Sequence, residues 1–250
     1  MYEAKFLMGA LAGLFAENHR IGYRADYPLY GTIAGINAFA IGASMTDPLA
    51  TVHLAWATKE GTNWQSELLE KDIHVFSGLD MIRPETASRE YGLFRKQSDG
   101  RVQNLAAPLW DWGRYYALLL GILLHGSHRM ARTDQAVNYW YGMSAGVIDV
   151  ILSHDLPTGS VRLVEALKNG IISGSLLPFS GELRSQDGLI RKAGEPLLSD
   201  REIVAMNWLN ENIVGHIPVF EELQERSRNL VRLLGIYRDS IPPEPAGETP

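Results

Sequence analysis

A chain of 250 residues that is 46% hydrophobic and 21% charged carries enough apolar material for one large domain or two small lobes. Its formal net charge of -6 supplies no basic groove for nucleic acid. The absence of cysteine excludes disulfides, thiolate metal sites, a Cys nucleophile and a lipid-bearing N-terminal cysteine.

Residues 1–20 lack the basic start and long apolar run of a signal peptide. The most apolar stretches, 30–43 and 115–126, are too short to span a bilayer, which takes roughly 20 apolar residues. As written, the chain is expected to be cytoplasmic, and membrane-associated or extracytoplasmic only as a fragment of an exported lipoprotein.

Residues 4–17 place Phe6, Leu7, Ala10, Leu11 and Leu14 at helical spacing. Gly9 and Gly13 leave one face of that helix bare for close packing. A short strand follows at 21–24, then a buried-looking helix at 31–43 ended by Asp47-Pro48. The segment 51–57 alternates as a strand, 64–72 reads as a helix and 73–78 as a strand. Pro84 and Gly92 bracket a short helix over 84–92. LFRK and VQNLAAPLW are further strands. The alternation predicts an α/β fold built on doubly wound parallel sheets, in which ligands sit beyond the carboxyl ends of the strands.

The second half opens with a helix at 113–126 and a β-branched run ending at 152. Residues 157–174 form an amphipathic helix with Gly174 past its end. Residues 179–191 form a hairpin turned by Asp187-Gly188. Ser199 and Glu202 make a capping box that opens a helix, with Leu198 and Ile203 placed to staple it. The expected division is a ligand-binding lobe at 1–112, crossover and remaining lobe elements at 113–238, and a Pro-rich disordered tail at 239–250.

The loops at 24–30, 58–64 and 78–84 and the segment PLWDWGRYY at 108–116 gather aromatics and carboxylates. In a strand, Trp110 and Trp112 share one face and Asp111 takes the other. Both rings read equally as core or as a platform for a flat ligand. Asp80 follows a strand, so its carboxylate is either a reader of paired hydroxyls or a plain helix N-cap or solvated loop acid. Asp26 and Tyr30 carry the same two readings.

The most distinctive text is LPFSGELRSQDGLIRKAGEPLLSDREIVAMNWLNENIVGHIP. It resembles the C-terminal signature of the basic membrane protein family, ABC-transporter substrate-binding proteins related to purine-nucleoside receptors. The matching elements are Phe179, Gly181, Leu183, Gly188, Leu198 to Asp200, Met206, Trp208 and Gly215 to Pro218. YEAKFLMGALAG, RIGYRADYPLYGTIAGINAFAIGA, PLWDWGRYY and YWYGMSAGVIDV resemble further family blocks in the right order. The resemblance covers nearly all of residues 2–218. It implies a type I periplasmic-binding fold that clamps a ligand between two lobes, here with the first lobe incomplete. It also implies a purine nucleoside or similar ligand, no cofactor, and either an ABC permease or a fused N-terminal domain as partner. Trp110 stands where nucleoside-binding members carry a lysine. The resemblance adds Trp56 and Trp64 as aromatic candidates and Asp99 as a carboxylate candidate, although Gly100 makes Asp99 read equally as a turn.

The rival class is an enzyme. His125, His128 and the pair His154-Asp155 mimic the ligands of an HD-type metal-dependent phosphohydrolase, but Leu156-Pro157 ends any helix that would carry them. A ligand-free interaction fragment is the third reading. The expectation is a non-enzymatic small-molecule-binding domain.

Overall fold

The computed structural model describes residues 1–81, 88–124 and 141–237. In chain order the elements are α1 (Tyr2–Phe15), β1 (Arg20–Ala25), α2 (Thr32–Thr46), β2 (Thr51–Trp56), α3 (Trp64–Leu69), β3 (Val75–Ser77), β4 (Leu93–Lys96) and β5 (Val102–Trp110). Then come α4 (Trp112–Leu124), β6 (Ile148–Leu152), α5 (Thr158–Ser173), β7 (Leu183–Ser185), β8 (Gly188–Arg191), α6 (Asp200–Val204), β9 (Ile213–Val214) and α7 (Glu225–Leu234). No helix among the described residues is long and apolar enough to cross a membrane.

Seven strands form one mixed sheet in the order β6-β5-β4-β3-β1-β2-β9, and β7 pairs with β8 as a separate hairpin. The half built from β3, β1, β2 and β9 is parallel. The other half, from β3 through β4 and β5 to β6, is antiparallel. The α/β architecture agrees with the sequence reading, and the antiparallel half is the feature that alternation did not supply. Its cause is local. Gly78 N–H donates to the Gly92 carbonyl and Leu79 bridges Tyr91, so the chain returns beside β3 instead of crossing over. The described part of the expected helix at 84–92, residues 88–92, is therefore not helical, and 84–87 lie outside the described residues.

The central strands are largely buried because both faces of the sheet are covered there. Ile21, Tyr23, Val52, Leu54 and Val75 face a core completed by α1, α2 and α5. Ala55, Phe76 and Phe94 face the opposite side, where they meet Leu68 of α3 and Ile73. Helix α1 is buried from Ala4 to Gly13, and α2 from Ile33 to Ala40. Their backbones touch: a Cβ on Gly42 would stand 2.1 Å from the Phe6 carbonyl oxygen, and one on Gly9 would stand 2.0 Å from that of Phe39. The bare face expected from Gly9 and Gly13 is this contact.

The capping box at Ser199 and Glu202 is present, and Leu198 and Ile203 both pack on the core. The helix it opens is short and stops at Val204. The reason is Asn37, buried on α2. Its side-chain amide donates to the Trp208 carbonyl at 2.8 Å and accepts from Asn210 N–H at 2.9 Å. Asn212 likewise donates to the Ala40 carbonyl. These bonds hold 208–212 extended and deliver β9 to the edge of β2. The expected lobe boundary at residue 112 falls at the turn between β5 and α4, and strands from both sides of it share the sheet. The tail expected to be disordered, 239–250, lies outside the described residues.

Candidate ligand-binding site

Strand β5 lies antiparallel to β4, which lies antiparallel to β3, so β5 ends at the same edge of the sheet as β1 and β3. At that edge Asp80 follows β3, Tyr30 follows β1 and Trp110 closes β5. The chain entering β6, residues 141–147, and the first turns of α1, α2 and α6 complete the wall. They enclose a cavity of about 630 Å³. Its position beyond the carboxyl ends of the strands is where α/β sheets take ligands.

The floor is charged. Lys5 projects from α1 and is 4% exposed. Its ammonium pairs with the Asp80 carboxylate, approaches Ser77 Oγ at 3.5 Å and stands 5.2 Å from the Tyr23 ring centroid. Burial works against the charge, but Asp80 and then Tyr23 outweigh it and hold the ammonium above its ordinary range. Burial raises the Tyr23 phenol as well. At the wall, burial with the Glu3 and Asp200 carboxylates pushes Tyr2 up to about 12, so it stays a neutral donor.

One wall is aromatic. The rings of Trp110 and Trp112 stack at 5.5 Å with 9° between their planes. Tyr115 meets Trp112 edge-on at 5.9 Å and Tyr141 at 6.0 Å. Trp112 is 53% exposed, so this is an open platform and not core. The two tryptophans meet for a reason other than the one expected. The strand ends at Trp110 and the helix starts at Trp112, with Asp111 as the turn between them. Asp111 Oδ1 accepts from Arg114 N–H at 2.8 Å, a bond that caps α4. Its own N–H donates to the Val147 carbonyl. Arg114 then donates to the Ala145 carbonyl across Gly146, whose φ of 69° and missing side chain admit the guanidinium. The rings stack on one another, leaving no slot between them, so a flat ligand would stack on an outer face.

Of the candidates named from sequence, Trp110, Trp112, Asp80 and Tyr30 line this cavity. The others stand elsewhere. Asp111 is the cap just described. Trp56 is 4% exposed and its indole N–H donates to the His216 carbonyl at 2.8 Å, so it is core. Trp64 opens α3 behind its Asn63 cap, under the Arg24 guanidinium at 5.2 Å. Asp26 accepts from Arg24 at 2.8 Å. Asp99 sits in the β4–β5 turn, where Arg101 holds its carboxyl below the usual range. His154 and Asp155 lie exposed in the turn between β6 and α5. Among the described residues no three His, Asp or Glu side chains converge as metal ligands, and His125 and His128 lie outside them.

Sequence reading missed Lys5, Tyr2, Tyr23 and Tyr141. The signal for Lys5 was present: it is the lone basic residue of α1, within a run, Ala4 to Gly13, that is buried all round.

No family profile matches the chain. It is 27% identical over 234 residues to a purine-binding protein of Brucella abortus, an alignment covering 87% of this chain and 64% of the relative. It is 28% identical over 163 residues to a putative ABC transporter glucose-binding protein of Haloferax volcanii, covering 59% of this chain and 39% of that one. The chain thus spans less than two thirds of either relative. Among solved structures, a transcriptional activator of the comK gene from Bacillus halodurans superposes with a TM-score of 0.50 at 14% identity. That likeness covers 71% of this chain and 64% of the other, and it concerns the fold alone. The two curated relatives, with the sequence blocks matched in order, support a likeness to basic-membrane-protein-like substrate-binding proteins.

Proposed function

We propose that this chain is a non-catalytic binding domain for a flat, hydroxylated small molecule, with a purine nucleoside as the ligand that fits best. The observation that carries the reading is the pairing, in one cavity, of a stacked tryptophan platform with a carboxylate anchored by a buried lysine. Stacking a base on an aromatic ring contributes about 1–3 kcal/mol whatever the base. A carboxylate accepts hydrogen bonds from paired hydroxyls and donates none, so Asp80 favours a hydroxylated ligand. The name of the Brucella relative supports a purine. The name of the Haloferax relative supports a second reading, a hexose lying with its C–H face on Trp112. Closure of the walls on the ligand would transmit the bound state to a permease or to a fused domain.

The test is isothermal titration calorimetry with purine bases, nucleosides and glucose. The expected result is micromolar or tighter affinity for a nucleoside with no turnover. Binding of glucose with no response to purines would transfer the assignment to the sugar. Hydrolysis of any probe would overturn the non-catalytic reading.

A further inference from the structure

A buried ion pair is a poor way to stabilise a core. Replacing one by apolar groups of similar size is often neutral or stabilising, whereas removing a single partner is costly. Lys5 and Asp80 nevertheless meet at the floor of the cavity, and the two ends of the pair are treated differently. The Lys5 side chain is 5% exposed and the Asp80 side chain 33%. Both side chains line the cavity, but the carboxylate is the more exposed of the two. The side chains that the ammonium pairs with or approaches belong to the carboxyl ends of two adjacent parallel strands: Tyr23 on β1, Ser77 on β3 and Asp80 just beyond it. Among the described residues Lys5 is the only lysine or arginine that lines the cavity.

We infer that Lys5 is the positioning residue of this site: it fixes Asp80 in place as an acceptor, so that the pair reads a hydroxyl donor on the ligand without touching the ligand through the lysine itself. This deepens the proposed function and rests on it. The orientation follows from the geometry. The ammonium engages Asp80 Oδ1, and Asp80 lines the cavity, so Oδ2 is the acceptor left for a ligand. The ammonium also offsets the carboxylate charge, so a neutral ligand meets a dipole and not an isolated anion.

The test is a double-mutant cycle read on discrimination and not on affinity alone. Wild type, Lys5→Met, Asp80→Asn and the double variant are titrated with adenosine and with 2′,3′-dideoxyadenosine, with thermal melting of each variant alongside. Wild type is expected to prefer adenosine by about tenfold or more, the worth of a good charge-assisted hydrogen bond. Lys5→Met should lose most of that preference, with adenosine weakened several-fold more than the dideoxy compound, which relies on stacking. Asp80→Asn should lose the same preference, and the double variant should lose no more than either single one. The double variant buries no charge and keeps the test open if Lys5→Met fails to fold. In that event Ser77→Ala, which removes one bond to the ammonium, is expected to shrink the preference partway.

Equal weakening of both ligands by Lys5→Met, with the preference intact, would make Lys5 merely structural and overturn the inference. If neither adenosine compound binds wild type, the nucleoside reading fails. The same cycle is then run with glucose and 2-deoxyglucose, where a preference for glucose lost in Lys5→Met would sustain the inference for a sugar. A sugar preference that survives Lys5→Met, or silence from all four probes, would overturn it.

Discussion

At the scale of single residues, the platform and the floor make separable contributions. Trp112 is half exposed and starts a helix, so Trp112→Ala should leave the melting temperature nearly unchanged. The same substitution should weaken nucleoside binding by about tenfold, the lower part of the range for losing one stacking partner. A calorimetric titration beside a melting curve separates the two. Loss of stability without loss of affinity would mean that the ring is packing and not platform. Trp56 supplies the contrast. Its ring is buried and bonded to the His216 carbonyl, so Trp56→Phe should lower stability with little effect on affinity. The sequence showed where rings and carboxylates cluster, but it could not tell these two tryptophans apart. Trp56 closes β2, and Trp112 stands two residues past the end of β5. What separates them is whether the next residues turn into a helix against open space or into a loop covered by residues 216–222, and that depends on partners about 160 positions away.

At the scale of elements, close approach of α1 and α2 sets the position of the site, because their first turns supply Tyr2, Glu3, Lys5, Gly31, Thr32, Ala34 and Gly35 to its wall. Gly42→Ala would push a methyl group into the Phe6 carbonyl, and backbone cannot swing aside as a side chain can. The expected cost is about 1–3 kcal/mol by chemical denaturation, with the slope of the transition preserved. A neutral result would mean that the helices sit further apart than described. Capping can be tested in the same way. Ser199→Ala should cost about 1 kcal/mol, since the serine side chain satisfies an otherwise unpaired N–H of a five-residue helix. Helices α1, α2 and α5, strands β1 to β5 and the capping box were all legible, since each rests on local periodicity or a local stop signal. The early end of α6 was not. It is imposed by Asn37, and nothing near residue 205 in the sequence announces a partner on α2.

At the scale of the whole molecule, the end of β2 is tied to the C-terminal part of the chain by a charged cluster. Lys59 meets Glu222 at 2.8 Å, and His216 approaches the same carboxylate at 3.2 Å. The lysine, a hydrogen bond from Val219 N–H and the histidine together hold the Glu222 carboxyl down at about 2 against an ordinary 4.5. A depressed carboxyl stabilises the fold above its unfolded value and ceases to do so as pH falls through its folded one. Stability is therefore expected to decline between pH 4.5 and about 2, and Glu222→Gln should flatten that limb in acid denaturation. An unchanged acid limb in Glu222→Gln would show that the cluster contributes nothing to the fold. The fold class was readable from alternating elements, but the antiparallel half of the sheet was not. The return of the chain beside β3 depends on backbone bonds that no residue type specifies.

The sheet is closed on one side by two residues, Ile213 and Val214, that pair with a strand laid down some 160 positions earlier. Asn37 waits still longer for its partner, since its bond to Asn210 spans 173 positions. A chain emerging residue by residue therefore holds β2 as an open edge, and a buried amide without its bonds, until its C-terminal third has been made. Such distant closures slow folding, because the entropy of a long loop is lost before the contact forms. The interval during which that edge can recruit a wrong strand is thus written into the order of the elements. The same late strand that completes the fold also sets how long the nascent protein must be shielded from its neighbours.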